Sequence, residues 1–379
     1  MDLQEIRVKI DDIDAQLVAL FAERMHTVRD VAKYKAENNV PILDSGRERQ
    51  VLLRAAERGG PELERYTRRL FTTLMDVSRS YQRGILNIAS PLADRIREAV
   101  AQTPQQFPTK ATVACQGTEG AFSQQACDAL FPLANILYFD RFESVFEAVE
   151  KGLCRYGVLP IENSLAGSVT QVYDLMGKYH FSVVRGVYQR VDHALLAKPG
   201  VKLSNIRQVY SHPQGLSQCS AYLRAHPELE AVPCANTAVA AKMVANAEDR
   251  TIAAIASRVC AELYGLSVVD GSVANDENNH TRFLCIGKAL EIYPDSNKIG
   301  LSVTLPHKPG SLYGLMSKFA AMDLNLTKLE SRPIPGRDFE FCFHIDLEAT
   351  VFNPEVISLL AEIEQTAERF QFLGCWREA

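Results

Sequence analysis

Asn275-Asp-Glu-Asn-Asn-His-Thr-Arg-Phe-Leu-Cys-Ile-Gly287 runs from seven polar residues straight into a short apolar segment. Phe283-Leu-Cys-Ile286 has the length and composition of a buried strand. The polar run before it reads as a loop at that strand's mouth, where hydrogen-bonding groups can be presented to a ligand. Thr281 and Arg282 stand at the junction, one able to give a proton and the other to hold a carboxylate. Equally, the stretch reads as a polar loop that merely ends a strand, and the choice rests on the chain around it.

The chain has 379 residues, more than one compact core holds, so two to four domains are expected. A net charge of −5 gives no footprint for nucleic acid or an anionic membrane. Neither a signal peptide nor an apolar run of membrane-spanning length is evident, so a cytoplasmic location is expected. The nine cysteines include no C-x-x-C pair, which suits reduced thiols and argues against zinc or a disulfide framework. The histidines show no metal-ligand spacing, and no cofactor is expected.

Residues 1–88 read as wholly helical. Leu3, Ile6, Ile10, Ile13, Leu17 and Leu20 form one apolar stripe on a long first helix. The stripe continues through Arg24, Val28, Val31 and Lys35, so two cations occupy positions where the period asks for core residues. Eleven residues apart, they lie about 16 Å from each other along one face and can bracket a small dianion. Alternatively, that end of the helix is exposed and both charges are solvated. Ser45 and Glu48 fit a capping box opening a second helix, which explains Glu48 structurally. Asp44 and Glu48 can instead present carboxylates to a hydroxyl. On a third helix, from Pro61, Ser78 and Gln82 share a face. Residues 1–84 carry 15 Lys and Arg against 14 Asp and Glu, so an anion site here must come from local placement.

This pattern resembles the all-helical chorismate mutase family, in which intertwined dimers build each site from one chain plus the partner's long helix. The resemblance implies that Arg7 reaches in from the partner while Arg24 and Arg47 hold the substrate carboxylates. Lys35 and Gln82 would meet the ether oxygen and Glu48 the ring hydroxyl, with Asp44 and Ser78 lining the pocket. A Claisen rearrangement needs no nucleophile. It needs the substrate folded and the charge on the departing oxygen stabilised.

Residues 89–109, with Pro91, Pro104 and Pro108, read as a linker around a short charged helical piece. Beyond it, strands and helices alternate. Ala111–Cys115 is followed by a Gly-bearing loop, Gly117 to Ser123, opening a helix; it is not a dinucleotide or P-loop fingerprint. A helix is predicted over 142–150, then the strand Tyr156–Pro160 runs into Ile161-Glu-Asn-Ser164, with Gly167 and Ser168 opening another helix. Ser211-His-Pro-Gln214 and Asn236-Thr237 again follow strands. Polar loops gathered at strand ends are where α/β sheets bind ligands.

Residues 110–288 resemble prephenate dehydratase along their whole length, on the Gly117–Ser123, Pro160–Ser164, Ser211–Gln214, Asn236-Thr237 and Thr281-Arg282-Phe283 motifs. The resemblance implies two α/β lobes like a periplasmic binding protein, with prephenate in the cleft. Thr281 would be catalytic, and Glu162, Asn163, Ser164, Asn236, Thr237 and Arg282 would bind substrate. A free threonine is a poor acid, so Asn163, Ser164 or Asn236 would have to polarise it. Residues 298–379 read as β-α-β-β-α-β, the ferredoxin-like split pattern, with a fourth segment predicted from Phe339. They resemble an ACT regulatory domain, with Gly310, Ser311, Leu312 and Glu330, Ser331, Arg332 at the places where phenylalanine binds between paired domains. Ser311 departs from the usual alanine, and a hydroxyl near an apolar ring weakens that fit.

The expectation is therefore a multidomain, cytoplasmic homodimer or higher oligomer: all-α helices, then a two-lobed α/β enzyme, then an α+β effector domain. Chorismate and prephenate would be its substrates and L-phenylalanine its effector. A mutase fused to a prephenate dehydrogenase would need a dinucleotide fingerprint, and a pure amino-acid sensor would not need the helical module.

Overall fold

The computed structural model describes residues 2–86, 90–276, 278–334, 336–337 and 340–378. Glu277 of the polar loop, the expected boundary at 88 and 89, and the predicted strand start at Phe339 lie outside these. Two compact units emerge: residues 1–94 with 357–365, and residues 95–356 with 366–379.

The first unit is helical. Helix α1 (Leu3–Glu37) opens on a capping box in which Asp2 accepts from the Glu5 amide at 2.8 Å and Glu5 accepts from the Asp2 amide at 2.9 Å. The helical span Ser45–Leu86, α2, breaks at Gly60, whose φ of 68° lies in the left-handed region, just before Pro61. The two expected helices are thus present, meeting at that kink. The cap of α2 is one residue earlier than expected: Asp44 Oδ1 accepts from the Arg47 amide at 2.8 Å, so Glu48 is not needed as a cap. A larger difference concerns the apolar stripe. Leu3, Ile6, Ile10, Ile13, Leu17 and Leu20 are all 40–64% exposed, so a single chain does not cover them.

The second unit begins within helix α3 (Pro91–Gln102). The segment expected as a linker buries Ile96 and Ala99, and Thr103 Oγ1 accepts from the Ile292 amide at 3.0 Å. The first lobe follows with β1 (Thr112–Gln116), α4 (Phe122–Leu130), β2 (Asn135–Phe139), α5 (Phe142–Glu150), β3 (Tyr156–Asn163), β4 (Gly167–Ser168), α6 (Thr170–Tyr179) and β5 (Ser182–Arg190). Gly167 and Ser168 form a short strand against β3 rather than opening α6, which starts two residues later. The second lobe holds β6 (His193–Ala197), β7 (Gln208–Ser211), α7 (Pro213–Gln218), α8 (Ser220–Ala225), β8 (Glu230–Pro233), α9 (Thr237–Asn246), β9 (Ile252–Ser257), α10 (Val259–Tyr264) and β10 (Ser267–Asp270). The chain then returns to the first lobe as β11 (His280–Gly287), which pairs antiparallel with both β3 and β5. The second lobe is a separate sheet in the order β10-β6-β9-β7-β8. Its β9 strand, Ile-Ala-Ala-Ile-Ala-Ser, is buried throughout, as expected of a sheet covered on both faces.

The C-terminal elements are β12 (Lys298–Thr304), α11 (Ser311–Ala320), β13 (Asn325–Pro333), β14 (Phe341–Glu348), α12 (Pro354–Thr366) and β15 (Arg369–Glu378), in the expected order. Sequence did not show that β15 also pairs parallel with β5 through Arg377↔Arg185 and Glu378↔Gly186. That pairing extends one sheet from β13 of the C-terminal segment to β2 of the first lobe. Leu373 and Trp376 of β15 share a core with Phe146, Met176 and Val183.

Candidate active sites

In the helical unit the cation on α1 meets the third helical stretch. Arg24 donates to Ser78 Oγ, and Ser78 Oγ donates to the Leu74 carbonyl. Burial of the Arg24 guanidinium pulls its pKa down from the usual arginine range. Gln82 lies one turn beyond Ser78 and is 6% exposed, with its Oε1 buried and unpartnered among the described residues. Arg24, Ser78 and Gln82 thus collect on one inner face. Lys35 reaches the Ile42 carbonyl at the turn between α1 and α2. Glu48 faces Arg79, a cation the sequence reading did not single out, although its place one residue after Ser78 leaves it within reach. Asp44 and Arg47 stay exposed at the start of α2, and Arg7 is exposed on the uncovered stretch of α1.

In the second unit the junction of loop and strand is built from two rungs. Thr281 pairs with Asn163, and Arg282 with Glu162, across β11 and β3. Asn163 Oδ1 accepts from the amides of Leu165 at 3.1 Å and Ala166 at 3.0 Å. With its carbonyl so fixed, Nδ2 must face the other way, and it donates to Thr281 Oγ1 at 3.0 Å and Asn279 Oδ1 at 2.7 Å. A donor on Oγ1 draws electron density from the hydroxyl and makes its proton easier to give. Ser164 ties the loop down, its amide donating to the His280 carbonyl at 2.9 Å while Oγ accepts from the His280 amide at 3.0 Å. Asn279 was missed as a site residue; it is 1% exposed, and lying two residues before Thr281 is the signal that could have found it.

The second lobe contributes Asn236, whose Oδ1 caps α9 by accepting from the Ala238 amide at 2.8 Å. Gly117, with φ of 110°, brings the β1 loop so close that a Cβ there would lie 3.1 Å from Asn236 Nδ2. Tyr264 of the second lobe donates to the Glu119 carbonyl at 2.6 Å, closing the loop against that lobe. Among the described residues, neither Asn236 nor Thr237 hydrogen-bonds to Thr281.

Arg282 and Glu162 are not brought to this face. Successive strand residues point oppositely, so both side chains turn away from Thr281. Arg282 is 4% exposed and held by Asp346 and Glu378 of the C-terminal strands. Burial lowers its pKa, but the two carboxylates outweigh this and hold it above the ordinary arginine value. Glu162 accepts from Lys328 Nζ at 2.8 Å. The substrate contacts expected of these two side chains therefore have no geometric support, because their charged ends are already matched elsewhere.

The expected effector residues divide in a similar way. Alternation along β13 places Lys328, Glu330 and Arg332 on one face and Ser331 on the exposed one. Glu330 accepts from Ser168 Oγ at 2.7 Å, and Arg332 pairs with Asp174 at 3.1 Å. Gly310, with φ of 87°, precedes α11, while Ser311 Oγ is buried without a partner among the described residues.

Comparison with known proteins assigns an isomerase to the helical unit and a lyase to the two-lobed one. Residues 6–83 match the chorismate mutase type II family and residues 113–291 the prephenate dehydratase family. The bifunctional chorismate mutase/prephenate dehydratase of Escherichia coli (strain K12) is 31% identical over 385 residues, covering 99% of this chain and 96% of that protein. The solved prephenate dehydratase of Arthrobacter aurescens, in complex with L-Phe, is 27% identical with a TM-score of 0.64, over 70% of this chain and 89% of that one. A solved structure described as GqqA, a novel type of quorum quenching acylase, is 30% identical with the same TM-score of 0.64, over 71% of this chain and 98% of that one. The chain belongs to the bifunctional chorismate mutase/prephenate dehydratase family. It carries both enzymes, an isomerase and a carbon–oxygen lyase of phenylalanine biosynthesis.

Proposed function

We propose that residues 1–88 convert chorismate to prephenate, that residues 110–288 convert prephenate to phenylpyruvate, and that residues 298–379 sense L-phenylalanine. In the mutase, Arg24 and Arg47 hold the carboxylates, with Arg7 supplied by a second chain. Lys35 and Gln82 stabilise the charge on the departing ether oxygen, Glu48 takes the ring hydroxyl, and Asp44 and Ser78 line the pocket. The inner-face cluster of Arg24, Ser78 and Gln82 supports this reading. The exposed apolar stripe of α1 supports a homodimer, since a second copy of the same helix would cover it.

In the dehydratase, the electrons of the breaking ring–carboxylate bond enter the ring and expel the 4-hydroxyl, which leaves as water on taking the Thr281 proton. Carbon dioxide is released, the ring becomes aromatic, and solvent reprotonates Thr281. The observation that carries this is the hydrogen bond from Asn163 to Thr281 Oγ1. Ser164, Asn236 and Thr237 would bind substrate around it. Hydrolysis of an amide would need an activated nucleophile, whereas Thr281 is approached here by an amide donor. Gly310, Ser311, Leu312, Glu330, Ser331 and Arg332 would form the effector site, in keeping with the L-Phe complex of the Arthrobacter aurescens protein. A cytoplasmic location suits these substrates. Following phenylpyruvate from chorismate with no added nicotinamide tests the assignment; product that appears only with a nicotinamide cofactor would refute it.

A further inference from the structure

The strand pair that carries the dehydratase pair has a second face, and the C-terminal sheet grips it. Arg282 Nη1 donates to Asp346 Oδ2 at 2.6 Å, Nη2 to Glu378 Oε2 at 3.1 Å, and Nε to Glu378 Oε1. Glu378 also lies 3.4 Å from Lys298 Nζ. Beside Arg282, Glu162 is held by Lys328. Arg282 and Glu162, which back the Asn163–Thr281 rung, are therefore anchored by charges from β13, β14 and β15.

Two features show that this anchorage bears on Thr281. The β11–β3 ladder changes register between Arg282 and Phe283, one rung from Thr281. Where the ladder is irregular, it does not fix the strand's direction alone, and such irregularities re-aim side chains beside active sites. Gly186 of β5 sits opposite Glu378, and a Cβ there would lie 2.8 Å from Glu378 Oε1 and 3.1 Å from Trp376 Nε1. The sheet thus leaves room for that carboxylate. A buried charge cluster is also a costly way to fasten two parts of one sheet together, which apolar side chains would do without desolvation.

We infer that Arg282 is a positioning residue for dehydration: Asp346 and Glu378 hold its guanidinium, and through the shared backbone this fixes the Thr281 hydroxyl against Asn163. The inference rests on Thr281 being the proton donor. The test uses the full chain with Glu378→Gln and Asp346→Asn, each keeping shape while removing one charge. On added prephenate, kcat should fall about ten-fold with KM within about two-fold, as for a displaced catalytic group. In a Thr281→Ala background the same substitutions should cost nothing further, because what they position is gone. Unchanged kcat in the single variants, or losses that multiply in the Thr281→Ala background, would overturn the inference. If either variant fails to fold, Arg282→Lys keeps the charge, loses the two-pronged geometry and enters the same cycle, with an intermediate loss expected. Full activity of Thr281→Ala by itself would instead remove the reading beneath it, and the two failures are distinct.

Discussion

Asn163 and Thr281 face each other across adjacent strands, with Nδ2 of one donating to Oγ1 of the other at 3.0 Å. Two backbone amides hold the Asn163 carbonyl, so the donor cannot turn away without breaking both. The proposed dehydratase mechanism depends on this relationship, because a threonine hydroxyl becomes a useful acid only when its oxygen is polarised. Replacing Asn163 by Asp would put an acceptor where a donor is needed. Phenylpyruvate formation from prephenate should then drop about 10²-fold or more, with mutase activity retained. A rate near normal would separate Asn163 from the chemistry.

For the mutase, Lys35→Ala and Gln82→Ala should each lower chorismate turnover by roughly 10²–10³-fold, the loss of one donor to a developing charge. Dehydratase activity on added prephenate should survive. Normal chorismate turnover by a folded Lys35→Ala chain would show that this face is not the site.

Phenylalanine should inhibit the dehydratase by roughly five- to 150-fold at saturation, the range set by a typical coupling free energy. Glu330→Ala should relieve it, since Glu330 accepts from Ser168 at 2.7 Å and so ties the C-terminal strands to the first lobe. Calorimetric binding measured beside the rate decides the matter: tight binding with no change in rate would make the domain a passive sensor.

His344 gives the fold a dependence on pH. It is 5% exposed, its ring centroid lies 4.8 Å from that of Tyr173, and burial lowers its pKa to about 4. Glu330 and Asp174 pull the pKa upward and Arg332 downward, but burial prevails. The folded value is thus below the unfolded one of about 6.5, and the unfolded chain binds the extra proton between them. Stability should be complete above about pH 6.5 and decline towards pH 4, by on the order of 3 kcal/mol. Urea unfolding of the wild type and His344→Gln at pH 7 and pH 5 should show the wild type losing ground at pH 5. An unchanged difference between the two proteins would contradict this.

The C-terminal elements were legible almost one by one, because each strand and helix carries its own period. Most dehydratase elements were legible in order for the same reason, but the strands β2, β4 and β10 were not. What escaped was long-range. Pairing of β15 with β5 joins residues almost 200 positions apart and leaves no local signal. That pairing is also why Arg282 was assigned to a substrate: an arginine beside a catalytic threonine reads as a ligand until its two carboxylate partners, Asp346 and Glu378, are seen behind the strand. The period of the stripe from Leu3 to Leu20 asks for a buried face, but a single chain leaves all six residues 40–64% exposed, because nothing among the described residues packs on them.

The central claim is that one chain rearranges chorismate and then dehydrates the product at Thr281. It is tested most directly by giving chorismate to the Thr281→Ala protein and measuring prephenate and phenylpyruvate together. Chorismate should disappear at the wild-type rate and prephenate should accumulate, with phenylpyruvate formed about 10²–10⁴-fold more slowly. Phenylpyruvate appearing at the wild-type rate would contradict the account.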